Sequence, residues 1–287
     1  MQLPQNECTA AILNELFDLT LTGYDIDFCI GRSPVRLVNI GQRMAVAECW
    51  RNGKGELAAH IRRLAEKLGA ARCTGWVGIA IQTAILGGVM TRVKIESVDF
   101  AVQAGDLSLT ASLLYLRQWG FPVGNILTVC NENSGLWDLI YHGFLRTDGV
   151  AKNTAVPDGD CVISEELERL VEYCGGAAEV ASFLECCMVG KIYRPQAQMQ
   201  KRLMEQFSSV VISDQRMALA VSGQYRADGY ILSPEAALAQ AGIQDFRASS
   251  GDYSPALILS VHSPEHSTEM LCHLLHISPQ ELKRNVN

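Results

Sequence analysis

The residues best placed for chemistry are the five at 104–108, Ala-Gly-Asp-Leu-Ser. They follow an alternating apolar run, Val98, Phe100 and Val102, and they precede a stretch of leucines at helical spacing. A glycine turn that opens directly onto a helix presents free backbone N–H groups and the positive end of the helix dipole, which favour an anion such as a phosphate. The turn lacks the spaced glycines of a dinucleotide-binding fingerprint, so an ordinary strand-to-helix connector is the alternative.

Metal-ligating residue types are numerous but carry no ligand pattern. The ten cysteines contain no C-x-x-C spacing, and the one close pair is the adjacent Cys186-Cys187. Free cysteine in a chain of this length behaves as a small buried hydrophobe. His273 and His276 lie three apart on a predicted helix, but no thiol or carboxylate pattern accompanies them, which favours a packed or solvated pair. The sequence therefore predicts no metal site.

The elements that would position the turn form a strand–helix–strand unit over residues 98–133. Helical spacing runs through Leu109, Leu113 and Leu116, and Gly120 and Pro122 end the helix before a second apolar strand at 126–130. The same alternation of strands and helices continues toward the C-terminus. It predicts a three-layer α/β fold with a mostly parallel sheet, helices on both faces, and ligands near the carboxyl ends of the strands.

The remaining elements are predicted from the same patterns. The predicted helices cover 9–20, 42–50, 56–68, 75–90 and a segment that Pro234 begins and Gly242 ends; the predicted strands cover 26–30, 34–39, 208–213 and 256–261. The chain divides into a mainly helical N-terminal part at 1–91, packed on an α/β core at 92–287.

Composition excludes several classes of partner. The 287 residues are 48% hydrophobic and can bury a large core. A net charge of -7 argues against nucleic acid and against an acidic membrane surface. The longest apolar run, 75–90, is too short to span a bilayer. The first residues lack the basic start and apolar core of a secretory signal, so a cytoplasmic protein is expected.

The sequence resembles that of threonine synthases, which are fold type II enzymes using pyridoxal phosphate (PLP), in four segments that occur in the same order. Residues 98–143 are similar to VxFxVPTGNFGxxxAGxxAKRxGLPIxxxxxATNENDxxxxFLxTG. The other three segments are VPDGDCVISEELERLV at 156–171, SPEAA at 233–237 and LILSVHSP at 257–264, which resemble the family's SPAMDIxVSSNFERLL, DPHTA and xxLSTASP. The resemblance implies the large, tryptophan synthase β-like domain of fold type II enzymes.

The resemblance also implies which residues would surround PLP. The residues matching the family's phosphate and ring-nitrogen motifs are Gly105, Asp106, Leu107, Ser108, Ser260 and Val261, and those matching its N-E-N at the edge of the cleft are Asn131, Glu132 and Asn133. The family's Schiff-base lysine lies in an F-K-D motif upstream. Lys54, in Lys-Gly-Glu before an alanine-rich stretch, is the candidate here, with a loop lysine between two helices as the alternative.

Three departures from the family pattern bear on the chemistry. Asp106 places a carboxylate where a phosphate would lie, and like charges repel at close range. Val261 has no group that can hydrogen-bond a ring nitrogen. Aligned on residues 98–143, the chain begins well inside the family sequence, and the separation of Gly75 from Gly105 is too short for the domain that the family places between its substrate loop and its phosphate motif.

Three hypotheses follow. The first is a threonine-synthase-like protein that has lost PLP-dependent catalysis and acts as a binding or partner protein, as a homo-oligomer or on a complete paralogue. The second is an active, divergent PLP-dependent lyase or synthase of amino-acid metabolism, using Lys54 or completed by a separate N-terminal subunit. The third is a binding module without PLP, whose pocket at Gly105 takes a small molecule such as an amino acid or a cation-bridged anion.

Overall fold

The computed structural model describes residues 5–17, 35–48, 50, 74–91 and 96–286. The strands are β1 Arg36–Asn39, β2 Met44–Glu48, β3 Val98–Gln103, β4 Val123–Cys130, β5 Leu145–Arg146, β6 Ile192–Tyr193, β7 Phe207–Val211 and β8 Ala256–Ser260. The helices are α1 Gln5–Phe17, α2 Thr74–Met90, α3 Ser108–Gln118, α4 Leu167–Gly175, α5 Ala177–Val189, α6 Ala197–Gln206, α7 Asp214–Asp228, α8 Pro234–Ser250, α9 Thr268–Leu275 and α10 Pro279–Val286. Shorter helical turns cover Gly135–Trp137, Asp138–His142, Pro157–Gly159 and Pro264–Ser267.

Six strands form one sheet in the order β1-β2-β8-β3-β4-β7. Every neighbouring pair is parallel except β1 and β2, which form an antiparallel edge. The two remaining strands, β5 and β6, pair as a small antiparallel ribbon. The predicted α/β class with a mostly parallel sheet is confirmed.

The central strand shows why the chain forms three layers. Because side chains alternate along a strand, Phe100 and Val102 of β3 join the core on one face and Ala101 joins the core on the other. Residues of α2 to α6 contribute to the first core, and residues of α7 to α10 contribute to the second. The predicted strand–turn–helix–strand unit is present as β3, α3 and β4.

Helix α8 begins where the sequence predicts and ends later. The Ser233 hydroxyl accepts a hydrogen bond from the backbone N–H of Ala236, and Pro234 occupies the first turn. The predicted end at Gly242 is wrong, since the helix continues to Ser250. A Cβ atom on Gly242 would lie 2.7 Å from a Val129 methyl group of β4. The glycine therefore allows close approach of helix and sheet rather than ending the helix.

The predicted helix at 42–50 is also wrong, because Met44–Glu48 is strand β2. This strand pairs with β1 on one side and β8 on the other, with Met44 opposite Ala256. Met44, Val46 and Ala47 are buried. A strand covered on both faces lacks a period of two, so its apolar run is hard to distinguish from a buried helix.

Two predicted elements, at 26–30 and 56–68, lie outside the described residues. The division of the chain at residue 91 stays a prediction; β1 and β2 belong to the same sheet as the strands that follow it. Within the described part of the chain, no helix combines the length and apolarity that crossing a bilayer requires.

Candidate functional site

The turn at 104–108, called here the Gly105 turn, joins the carboxyl end of β3 to the first residue of α3. A Cβ atom on Gly105 would collide with the backbone carbonyl oxygen of Asp158, so only glycine allows the Pro157–Gly159 turn to lie against it. The backbone N–H of Glu165 donates to the Gly105 carbonyl oxygen at 2.7 Å. The Gly105 turn is therefore held between two other segments of the chain.

Three backbone donors of this turn and the Ser108 hydroxyl are engaged by the chain itself. The Gly105 N–H donates to Gln103 Oε1 at 2.8 Å, and the Leu107 N–H donates to the Glu165 carbonyl oxygen at 3.0 Å. The Ser108 N–H and hydroxyl donate to the two Asp106 carboxylate oxygens at 2.8 and 3.0 Å. The Asp106 carboxylate thus accepts hydrogen bonds from donors at the helix N-terminus, a position that favours an anion.

A cavity of about 430 Å³ lies beside the Gly105 turn, at the carboxyl ends of β3 and β8. Among the described residues, its lining contains five carboxylate side chains and no lysine or arginine; the five are Asp106, Asp158, Asp160, Glu165 and Glu235. We call it the acidic cavity. The one cationisable side chain of the described lining is that of His262. An anion entering this space meets net negative charge, which is unfavourable at short range.

The structure places only some of the residues that are predicted to contact PLP at the acidic cavity. Gly105, Asp106 and Val261 line the acidic cavity. Leu107 is fully buried, and Ser108 is also buried. Neither of these two lines the cavity. Their predicted contact with a ligand stays a prediction.

Ser260 is also buried away from the cavity surface. Its hydroxyl lies 3.2 Å from the Ser233 hydroxyl and donates to the His262 carbonyl oxygen at 3.3 Å. Val261 follows it and presents only methyl groups to the cavity. The position at which the resemblance places a ring-nitrogen partner therefore supplies no hydrogen bond.

The predicted cleft residues hold a loop instead of lining the acidic cavity. Asn131 is buried, and its side-chain amide donates to Asp160 Oδ1 and to the Thr154 hydroxyl, both at 2.8 Å. Asn133 donates to the same Asp160 oxygen at 3.2 Å. Glu132 lies on the outside, 3.9 Å from the Lys152 ammonium. These contacts fix the 152–160 loop, which carries Asp158 to the cavity.

The structure brings together a group that the sequence analysis missed, consisting of Asp158, Glu235 and His262. Asp158 lies on the 157–159 turn, Glu235 in the first turn of α8, and His262 two residues after the end of β8. The His262 Nδ1 atom is 3.2 Å from Asp158 Oδ2 and 3.6 Å from Glu235 Oε1. We call this group the carboxylate–histidine cluster. Its sequence signal is weak, since each member lies alone in its segment.

Two thiols near the site are poor nucleophiles at neutral pH. Burial raises the pKa of Cys161, which lines the acidic cavity, and raises that of Cys130, at the end of β4, to about 11. The thiolate is the reactive form, and its population falls tenfold per unit of raised pKa. The described geometry therefore gives no cysteine nucleophile here.

The architecture has the fold of solved fold type II enzymes, a class that uses PLP. More particularly, it matches solved threonine synthases. The yeast enzyme superposes with a TM-score of 0.65 at 20% identity over 73% of this chain, the PLP-bound Brucella melitensis enzyme with 0.79 at 13% over 99%, and the Escherichia coli enzyme with 0.66 at 11% over 100%. No protein-family model and no curated protein sequence matches.

These superpositions confirm the resemblance at the level of the fold. The chain spans about half of the yeast enzyme, at 47% of its length, and 89% and 84% of the Brucella and Escherichia coli enzymes. A threonine deaminase from Thermus thermophilus also superposes, with a TM-score of 0.52 at 13% identity. At such identities the likeness establishes the fold, whereas function must be argued from the site.

The residues that the structure describes do not fit the phosphate of PLP. Three backbone N–H groups and the Ser108 hydroxyl of the Gly105 turn donate to Gln103, Glu165 and Asp106, and the cavity beside them is lined by carboxylates. Lys54, the predicted Schiff-base candidate, lies outside the described residues. The predictions of self-association and of pairing with a complete paralogue stay predictions.

Proposed function

We propose that this protein has the fold of a threonine synthase without its PLP chemistry, and that it acts by binding a small ligand or a partner. The observation that carries the proposal is the Asp106 carboxylate, which accepts both the N–H and the hydroxyl of Ser108. A coenzyme phosphate would have to displace an anion that belongs to the chain.

Displacement is unfavourable for two reasons. The Asp106 carboxylate cannot leave the site, because it is tethered two residues from the donors it occupies. If it rotated away, it would remain beside the phosphate in a cavity that already holds Asp158, Glu165 and Glu235. Two unit charges 4 Å apart repel by about 4 kcal/mol at the effective dielectric constant of a protein surface.

The residue that matches the family's partner of the PLP ring nitrogen also argues against PLP chemistry, and this argument does not involve charge. A PLP enzyme needs a group that hydrogen-bonds or pairs with the pyridine nitrogen, and the matched position here is Val261. Loss of the anion site and of this partner together is consistent with a fold that is no longer selected for the coenzyme's chemistry.

The test is to incubate the purified chain with PLP, reduce with borohydride, and map any pyridoxyl-lysine by mass spectrometry. A solved threonine synthase treated in parallel is the positive control. We expect no violet-absorbing species and no lysine labelled above the level of the urea-unfolded chain. Selective labelling of one lysine in the folded chain, abolished by substitution of that lysine, for example Lys54→Ala, would support the divergent-enzyme hypothesis instead.

A second candidate function, small-molecule binding at the acidic cavity, is favoured by the cavity itself. A space of about 430 Å³ is within the usual size range of ligand sites. Its carboxylates favour amines or anions bridged by a cation. A thermal-shift screen of amino acids and polyamines, repeated with Asp158→Asn, is the test; stabilisation of the wild type that is lost in the variant would support this function.

A further inference from the structure

The carboxylate–histidine cluster has the composition and convergence of a metal site. Its three members come from three separate segments, and one ligand atom from each lies within 4.8 Å of the others. The fold therefore assembles the cluster, because no two of the residues are neighbours in the sequence.

Two of the three spacings between the ligand atoms are close to those of donors around one ion. Metal–oxygen and metal–nitrogen distances near 2.1 Å place adjacent donors about 3.0 Å apart in an octahedral site and about 3.4 Å apart in a tetrahedral one. The His262 Nδ1 atom lies 3.2 Å from the Asp158 carboxylate and 3.6 Å from that of Glu235. An ion between them requires only small side-chain rotations.

The charges at the cluster also call for a cation. Glu235 is only 7% exposed, and its Oε1 accepts the backbone N–H of His262, which fixes its orientation toward the cluster. A buried carboxylate is costly without a paired charge. The imidazole of His262 brings at most one positive charge to the two carboxylates, and the His266 ring lies 5.7 Å from it, between centroids. A divalent ion coordinated by both carboxylates would balance their charges directly.

Open space beside the cluster provides room for further ligands of the ion. Asp158, Glu235 and His262 line both the acidic cavity and a second cavity of about 220 Å³. Three protein ligands with an open side are typical of exchangeable metal sites.

We propose that Asp158, Glu235 and His262 bind a divalent first-row transition-metal ion, of the Mn²⁺ or Zn²⁺ class, whose remaining coordination positions face the acidic cavity. One imidazole with two carboxylates suits these ions better than Mg²⁺, which prefers oxygen ligands alone. The three residues lie within segments that resemble the family, but none of them is among the residues matched to PLP contacts. The existence of the site does not depend on the proposed function.

The test is a titration of the EDTA-dialysed full chain with Mn²⁺, with free ion measured by electron paramagnetic resonance. Mn²⁺ is preferred to Zn²⁺ as the probe because the ten cysteines compete for zinc. We expect one bound ion per chain. His262→Asn and Asp158→Asn should each weaken binding by about tenfold or more, as loss of a ligand is at least as severe as loss of a residue that orients one.

His273→Asn on α9 and Glu281→Gln on α10 are the matched controls, and both should bind Mn²⁺ like the wild type. Asp158 is 61% exposed, so Asp158→Asn keeps the test valid if substitutions at Glu235 or His262 impair folding. Absence of stoichiometric Mn²⁺ binding overturns the proposal. Binding that Asp158→Asn and His262→Asn leave unchanged also overturns it, because the cluster would then be an internal ion pair and the metal would lie elsewhere.

Discussion

The two ends of the acidic cavity differ in how their charges are balanced. At the Gly105 turn, backbone donors and the Ser108 hydroxyl are matched by acceptors of the chain, including the Asp106 carboxylate. At the carboxylate–histidine cluster, two carboxylates meet one imidazole. Under the two proposals above, the first end excludes an added anion, whereas the second binds a cation.

Under the proposed function, the fold is kept while its site favours a cation over an anion. The strand–turn–helix geometry that would receive a phosphate is intact, and one aspartate in the turn is enough to occupy it. Part of the acidic character comes from Asp158 on the 157–159 turn and from Glu235 on α8, which lie beside the carboxyl end of β8. Substitutions at both ends of the cavity test this comparison. The largest effect is expected at Gly105, where the Gly105 turn contacts the turn that carries Asp158.

Gly105→Ala should have the largest effect, because its Cβ atom would meet the Asp158 backbone. We expect a loss of about 3 kcal/mol in the free energy of unfolding, at the upper end for overpacking, and weaker Mn²⁺ binding because the turn carrying Asp158 must move. Urea denaturation and the Mn²⁺ titration measure the two effects. Gly223→Ala, in α7 with open space around it, is the control and should gain about 0.5 to 1 kcal/mol. Equal stability of the two variants would contradict the close contact.

Gly242→Ala should have the next largest effect. Its Cβ atom would lie 2.7 Å from Val129 and 3.1 Å from Val210, so α8, which carries Glu235, would be pushed from the sheet. We expect a loss of about 1 to 3 kcal/mol, since the neighbours are side chains that can partly adjust. The urea midpoint measures the loss, again against Gly223→Ala. A variant as stable as the wild type would show that α8 is not pressed against β4.

Asp106→Ala should have a smaller effect on stability and change the ion preference of the Gly105 turn. Removing the carboxylate leaves the Ser108 N–H without its acceptor, at a cost of about 1 kcal/mol. The freed donors should then bind sulfate, so sulfate should raise the melting temperature of the variant more than that of the wild type. Asp106→Asn, which keeps an acceptor oxygen, is the control. An identical sulfate response in all three proteins would sink the idea that Asp106 blocks an anion site.

The smallest effect concerns the access of a thiol reagent to two cysteines near the acidic cavity. Cys161 lines the acidic cavity. Cys130 does not line it and is only 2% exposed, and burial raises the pKa of its thiol to about 11. At pH 8 iodoacetamide should modify Cys161 slowly and leave Cys130 intact. Both pKa values are raised, so the thiolate forms only at higher pH, and modification of Cys161 should accelerate from pH 8 to pH 10. Peptide mass spectrometry measures the modification of both cysteines, with the urea-unfolded chain as reference. Faster modification of Cys130 than of Cys161 would contradict the placement of Cys161 on the cavity and of Cys130 in the interior.

The sequence predicts the parts of the fold that depend on local patterns. β3, the Gly105 turn, α3 and β4 are continuous in sequence, and their alternation and breakers are visible there. The sequence predicts a helix in place of β2 because this strand is buried on both faces and shows no period of two. It predicts a helix end at Gly242 because the packing of this glycine against Val129 depends on the sheet.

The candidate site is predictable only in part for the same reason. The Gly105 turn and the carboxylate of Asp106 can be identified, because they lie within one segment. The carboxylate–histidine cluster cannot, since Asp158, Glu235 and His262 lie in three segments that approach only when β8 is inserted beside β3. Polar residues at helix starts and strand ends are common, and no spacing marks these three as partners.

The central claim is that Asp106 occupies the phosphate position of the fold, and equilibrium dialysis of the wild type against PLP tests it most directly, with Asp106→Ala dialysed in parallel. The account predicts no stoichiometric retention of PLP by the wild type and greater retention by Asp106→Ala. Stoichiometric retention by the wild type that free phosphate displaces, and that Asp106→Ala does not increase, would contradict it.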